Sequence, residues 1–250
     1  MAASRWRRAT TAGVALETAA HLHQVIEGMR LGQPDAAAFD TLIAELDALP
    51  PQLAQQVTRL SFYAYRYPLP KVQKPSLVER LLSFGKATPE MPSPAIPAGR
   101  LAWIRLGHPD GFEREKGLRA LDDAPSSALR LALLLQRADD WVPQVAAAAH
   151  AALERFADRV PPAAVRAIAP FVTAHYLKRL GKTQIAAPVA ALLVREESWP
   201  ETLDWLKSGA DPAVVPALRL ALLSDAVDRH LPELLAARHY LVRAPAARTL

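Results

Sequence analysis

Leu129-Arg130-Leu131-Ala132-Leu133-Leu134-Leu135-Gln136 decides the fold. At about 3.6 residues per turn, Leu129, Ala132, Leu133 and Gln136 lie along one stripe of a helix, while Leu131, Leu134 and Leu135 cover its other faces. A helix apolar nearly all round has to be covered on several sides. Residues 185–194 have the same character. Layered helical arrays contain such sandwiched helices, whereas an isolated amphipathic surface helix does not need them.

Outward from that stretch, the chain is punctuated by helix starts and stops. Helices are expected over residues 11–31, 35–49, 52–65 and 162–180, with Gly32, Pro50-Pro51 and Gly181 as stops. Pro170 should kink or split the last of these. Ser76 with Glu79 and Ser198 with Glu201 have capping-box spacing, and Asp211-Pro212 offers an N-cap followed by an N1 proline. No strand is expected, so the chain reads as all-α. Between residues 85 and 99, Pro89, Pro92, Pro94 and Pro97 remove so many donors that neither helix nor sheet persists. That segment reads as a linker between an N-terminal helical module, residues 1–84, and a longer helical module, residues 100–250.

Composition narrows the chemistry. Of 250 residues, 51% are apolar and 22% charged, which excludes disorder across the whole chain. With no cysteine, a disulfide scaffold, a zinc finger, a thiolate cluster and a cysteine nucleophile are excluded together. The arginines of the first eight residues are cut off from a long apolar run by Glu17, too early for an export signal, and residues 185–194 contain Pro188. A cytoplasmic location is the expectation. The net charge of +5 is concentrated in two places. One is the N-terminus; the other runs from Arg59 to Lys86, where Arg59, Arg66, Lys71, Lys74, Arg80 and Lys86 face a single carboxylate, Glu79. An acidic partner is therefore expected on the N-terminal third.

A spacing of small and apolar residues recurs: Arg114-x-x-Gly117-x-x-x-Leu121, Ala146-x-x-Ala149-x-x-x-Leu153 and Arg243-x-x-Ala246-x-x-x-Leu250. A weaker copy is Lys178-x-x-Gly181-x-x-x-Ile185. Such periods mark stacked units, because a single helix pair cannot hide its apolar face alone. The small residue lets helices approach, and the leucine one turn later fills the space. Asp110-Gly111-Phe112-Glu113-Arg114 through Leu121, Asp139-Asp140-Trp141-Val142-Pro143-Gln144-Val145 through Leu153, and Tyr240-Leu241-Val242-Arg243 through Leu250 resemble the second helices of bacterial HEAT-type repeats. The resemblance covers about residues 97–250 and implies an α-solenoid of antiparallel helix pairs with a concave binding face. In that family, holding partners is commoner than catalysis. Only the last copy carries the full Val242-Arg243 pair, so the Asp–Arg ladder of such repeats is incomplete. Leu250 is the final apolar position of a copy, from which a fragment of a longer array, or an end covered by a partner, is expected.

No catalytic constellation emerges. His21 and His23 are two apart on a helix and diverge, so no metal site is expected. Gly181-Lys182-Thr183 lacks the earlier glycine of a phosphate loop, since Tyr176 stands there. The pairs Asp122-Asp123, Asp139-Asp140 and Glu196-Glu197 read as capping and solvated residues. Trp141, Trp199 and Trp205 read as core. Tyr63, Tyr65, Arg66, Tyr67, Lys71 and Lys74 interleave aromatic faces with cations and form the expected partner-binding segment. The resulting expectation is a non-enzymatic scaffold or adaptor binding a macromolecule, with a protein favoured and no cofactor. The alternative is a nucleic-acid-binding protein. HEAT-like alkylpurine DNA glycosylases use tryptophans and an aspartate on the concave face, and Asp140-Trp141 and Asp204-Trp205 offer those residue types.

Overall fold

In the computed structural model, which describes residues 14–66, 96–209 and 211–248, helices begin and end largely where capping chemistry puts them. Helix α1 spans Leu16–Leu31 and stops at Gly32, whose φ of 71° is the left-handed conformation that glycine adopts without strain. Asp35 opens α2, Ala36–Ala48, by accepting from the Ala37 and Ala38 N–H groups at 2.9 and 3.3 Å. A 3-10 turn, Pro51–Leu53, leads into α3, Ala54–Arg66. After it come α4 Ala98–Arg105, α5 Gly111–Ala120, α6 Ala128–Ala138 and α7 Pro143–Phe156. The remainder is α8 Pro162–Val172, α9 Thr183–Leu193, α10 Trp199–Ser208, α11 Val214–Ala221, α12 Leu231–Leu235 and α13 Tyr240–Ala247. No strand occurs among the described residues, and the fold is all-α.

Helix α6 is sandwiched, as its all-round apolar sequence requires. Leu129, Leu131, Ala132, Leu134 and Leu135 are fully buried. Their covers are α2, α3, α7 and α8 together with the 3-10 turn. Beyond it, helices touch their neighbours and their next-but-one neighbours: α5 packs on α4 and α7, α8 on α6, α9 and α11, and α13 on α11 and α12. Gly117 in α5 is where the small-residue rule acts, because a Cβ there would come within 2.9 Å of the Arg105 Cβ and 3.2 Å of the Ala102 carbonyl oxygen. Ala149 and Ala246, the matching positions of the other copies, are also buried, as are Leu121 and Leu153.

Helices α1 to α3 share one continuous core with those that follow. The tie is Arg130, which is buried: its Nε and Nη2 donate to both oxygens of Asp47 in α2 at 2.8 and 2.7 Å, and its Nη1 to Asp123. Of the expected linker, residues 96–99 are described: Ile96 is buried and α4 has begun by Ala98.

One expectation needs correction and two take a more definite form. Ser198 does not cap α10 through its side chain; its hydroxyl donates to the Arg195 carbonyl, and Glu201 accepts from Arg166 at 2.7 Å. The weak copy at Lys178 is interrupted in its middle, because Gly181 is in a left-handed turn with φ of 60° between two helical segments, and it and Lys178 are exposed. Downstream of Pro170, which has no N–H to give, the α-helix stops at Val172 and the chain continues as a π-helix, Thr173–Arg179. The Ser76–Glu79 cap, the first basic zone and Leu250 lie outside the described residues.

Candidate binding groove

In the segment that opens α3, Gln52, Gln55, Thr58, Arg59 and Phe62 recur every three or four residues and so share one face, while Ala54, Val57, Leu60, Ser61 and Ala64 are buried on the opposite one. That polar stripe walls a groove. The other wall is the turn after Pro170, where Phe171, His175 and Arg179 repeat every fourth residue, and the floor is the C-terminal end of α6 with Gln136 and Arg137. The hollow so formed measures about 730 Å³. A second, of about 460 Å³, shares Thr58, Gln136, Arg137 and Asp139 with it and runs on to Phe62, His108 and Trp141. Together they make one trough across three helices.

The floor is held by a buried carboxylate. Asp140, 3% exposed at its side chain, takes a two-pronged contact from Arg114 Nη2 and Nε at 2.9 Å each, plus Arg137 Nη1 at 2.9 Å and the Val142 N–H at 3.1 Å. Both oxygens are committed. The expectation that Asp139-Asp140 is a solvated pair is therefore corrected: Asp140 is a structural node, and Asp139 accepts from Lys182 across the groove's end. Burial lowers the Arg137 pKa, against which Asp140 pulls it back up. Burial raises the Tyr176 phenol, and the charge of Asp139 adds to that. His175 stacks on Phe171 with ring centroids 5.4 Å apart.

Two groove cations are uncommitted. Arg59 and Arg179 are exposed and make no ion pair among the described residues. Trp141 stands at the rim, 86% exposed. The expectation of three core tryptophans is corrected by it: Trp199 is buried and Trp205 half-buried, its indole N–H donating to Asp211 at 3.2 Å, but at the α6–α7 corner Asp140 takes the inward side and the next side chain faces out.

Of the expected partner-binding segment, Tyr63, Tyr65 and Arg66 form the last turn of α3, while Tyr67, Lys71 and Lys74 lie outside the described residues. Tyr65 is turned inward, its hydroxyl 4.0 Å from the Met29 sulfur and its ring edge-on to His108 at 4.3 Å. Burial raises its phenol. Tyr63 is half-buried with its ring edge-on to Phe62 at 6.0 Å, and the exposed Arg66 lies over Phe62 at 5.9 Å. The described part of the segment therefore adjoins the groove through Arg66 and Phe62, and Tyr65 offers it no exposed face. Gln52, Gln55, Arg137 and Arg179 escaped the sequence reading, which named Trp141 only as core or for the glycosylase alternative and Gln136 only as part of a helix stripe. The three-and-four spacing from Gln52 to Phe62 was the signal available.

A third hollow, about 530 Å³, lies between α7 and α9 and is lined by His150, Glu154, Asp158, Gln184, Arg195 and apolar side chains; Arg195 is bound there to the Ala157 and Val160 carbonyls. Among the described residues no three His, Asp or Glu side chains come together to hold a metal ion, and His21 instead meets Glu45 at 2.9 Å. No described helix is long and apolar enough to cross a membrane. Compared with protein-family models, with curated proteins and with solved structures, the chain matches none.

Proposed function

We propose that this chain is a helical-repeat binding protein, an α-solenoid of HEAT-like build that acts as a scaffold or adaptor and holds a protein partner in the groove between α3, α6 and α8. The packing of helices on next-but-one neighbours supports the stacked build. So does a repeated contact: Arg114 and Arg243, the same position of two copies, each donate from Nη1 to the carbonyls six and five residues earlier, His108 and Pro109 in one case, Ala237 and Arg238 in the other. The observation that carries the binding role is a trough with two arginines that have no ion pair among the described residues and an exposed tryptophan at its rim. An exposed indole is costly to leave in water and is the residue type from which interface anchors are drawn.

A nucleic-acid strand is the second reading, favoured by the stacking face that Trp141 offers beside cations. Its glycosylase version cannot use Asp140 as a free base, because that carboxylate already accepts four hydrogen bonds. A photo-crosslinking amino acid in place of Gln55, in the full chain in its own cells, tests the proposal. A discrete protein adduct, absent when the crosslinker replaces the off-groove Lys116, is expected. Equal labelling from both positions contradicts it, and a nuclease-sensitive adduct selects the second reading.

A further inference from the structure

We infer that the occupant of the groove is an extended, acidic segment of a partner protein, held by its main chain on side-chain amides and by its carboxylates on Arg59 and Arg179. The inference rests on the groove reading above and adds the chemistry of what fills it. Gln52 and Gln55 are exposed on one wall and Gln136 lies on the floor. A primary amide carries an acceptor and two donors, which matches the C=O and N–H that an extended main chain leaves unpaired on its edge. Thr58 donates to Gln136 Oε1 at 2.9 Å, which fixes that amide with its NH₂ as the uncommitted end. A helical segment satisfies its own main chain and gains nothing from such a row.

Charge decides the side chains. The trough's six ionic groups are Arg59, Arg114, Arg137, Arg179, Asp139 and Asp140. Asp140 occupies Arg114 and Arg137, and Lys182 occupies Asp139, so among the described residues the charge left over in the lining is that of Arg59 and Arg179, with Arg66 adding to it at the edge over Phe62. Two forks suit two carboxylates on a short segment. A nucleic-acid strand brings a phosphate with every nucleotide and needs a longer run of cations than this. Of the aromatic faces it would use, Tyr65 is turned inward and packed against His108. Trp141, beside the shared floor, supplies an apolar contact for a partner side chain next to the acidic ones.

Panning random dodecapeptides on the full chain tests this, with R59E/R179E and the off-groove variant K116E panned in parallel. Arg59 and Arg179 are exposed and make no ion pair among the described residues, so circular dichroism of the double variant should match wild type. Expected are peptides rich in Asp and Glu from wild type and K116E, whose synthetic forms bind the double variant about tenfold or more weakly. Peptides without acidic bias, or bound equally by the double variant, overturn the inference. A fluorescent oligothymidylate that binds more tightly than the selected peptides, and depends on the same arginines, overturns the peptide occupant while the groove stands. If neither probe depends on Arg59 and Arg179, the groove reading falls too.

Discussion

Asp140 is the residue on which the groove floor depends. Its carboxylate is taken out of water and repaid by two guanidiniums and a main-chain N–H, an arrangement that is stable only while every partner is present. Asp140→Ala leaves Arg114 and Arg137 facing each other uncompensated and should cost about 3–5 kcal/mol in chemical denaturation. A loss within about half a kcal/mol means the node is ornamental. His108 has the opposite character. Burial lowers its pKa below the usual histidine value, and its Nδ1 accepts from the Asp110 N–H at 3.0 Å. The unfolded chain therefore takes up the proton first, and stability falls as pH drops from about 6.5 through the lowered native value. Wild type should lose stability over that window more steeply than His108→Gln; parallel curves contradict it. Neither role was legible in the sequence, because an aspartate at a helix start looks like any other cap until the arginines of two helices are seen to converge on it.

Among the helices, legibility follows how local the cause is. The C-terminal end of α1 and the start of α2 were read correctly since Gly32 and Asp35 act on residues within one turn, whereas α1 begins at Leu16 and not at residue 11, with no capping side chain to mark it. The burial of α6 was read because all its faces are apolar, whatever covers them. The π-helix was not: residues 171–179 have ordinary helical spacing, and the break depends on Pro170 upstream and on Gly181 with Lys182 downstream, whose N–H bonds the Tyr176 carbonyl at 2.8 Å. That change of winding puts His175 and Arg179 on the groove. The repeat register makes its own prediction, since Leu121 and Leu153 are the buried leucines one turn beyond Gly117 and Ala149. Leu121→Ala or Leu153→Ala should each cost about 2–5 kcal/mol by urea or thermal unfolding. A cost below about half a kcal/mol at both sites contradicts the stacking register.

Across the whole molecule, the groove is built from helices on both sides of the proline-rich segment. Helix α3 supplies one wall, α6 the floor and the turn after α8 the other wall, and Arg130 clamped on Asp47 holds the first set against the second. The sequence located the cations of α3 but not the surface opposite, because residues more than a hundred positions apart meet through the packing of α3 on α6, of α6 on α8 and of the Pro51–Leu53 turn on α8. Hydrogen–deuterium exchange of the full chain, with and without a peptide selected on it, measures that convergence directly. Slowed exchange in residues 52–62 and 171–179 together, with none in α7 and α9, is the predicted result. Protection confined to one wall, or centred on the hollow between α7 and α9, contradicts the account.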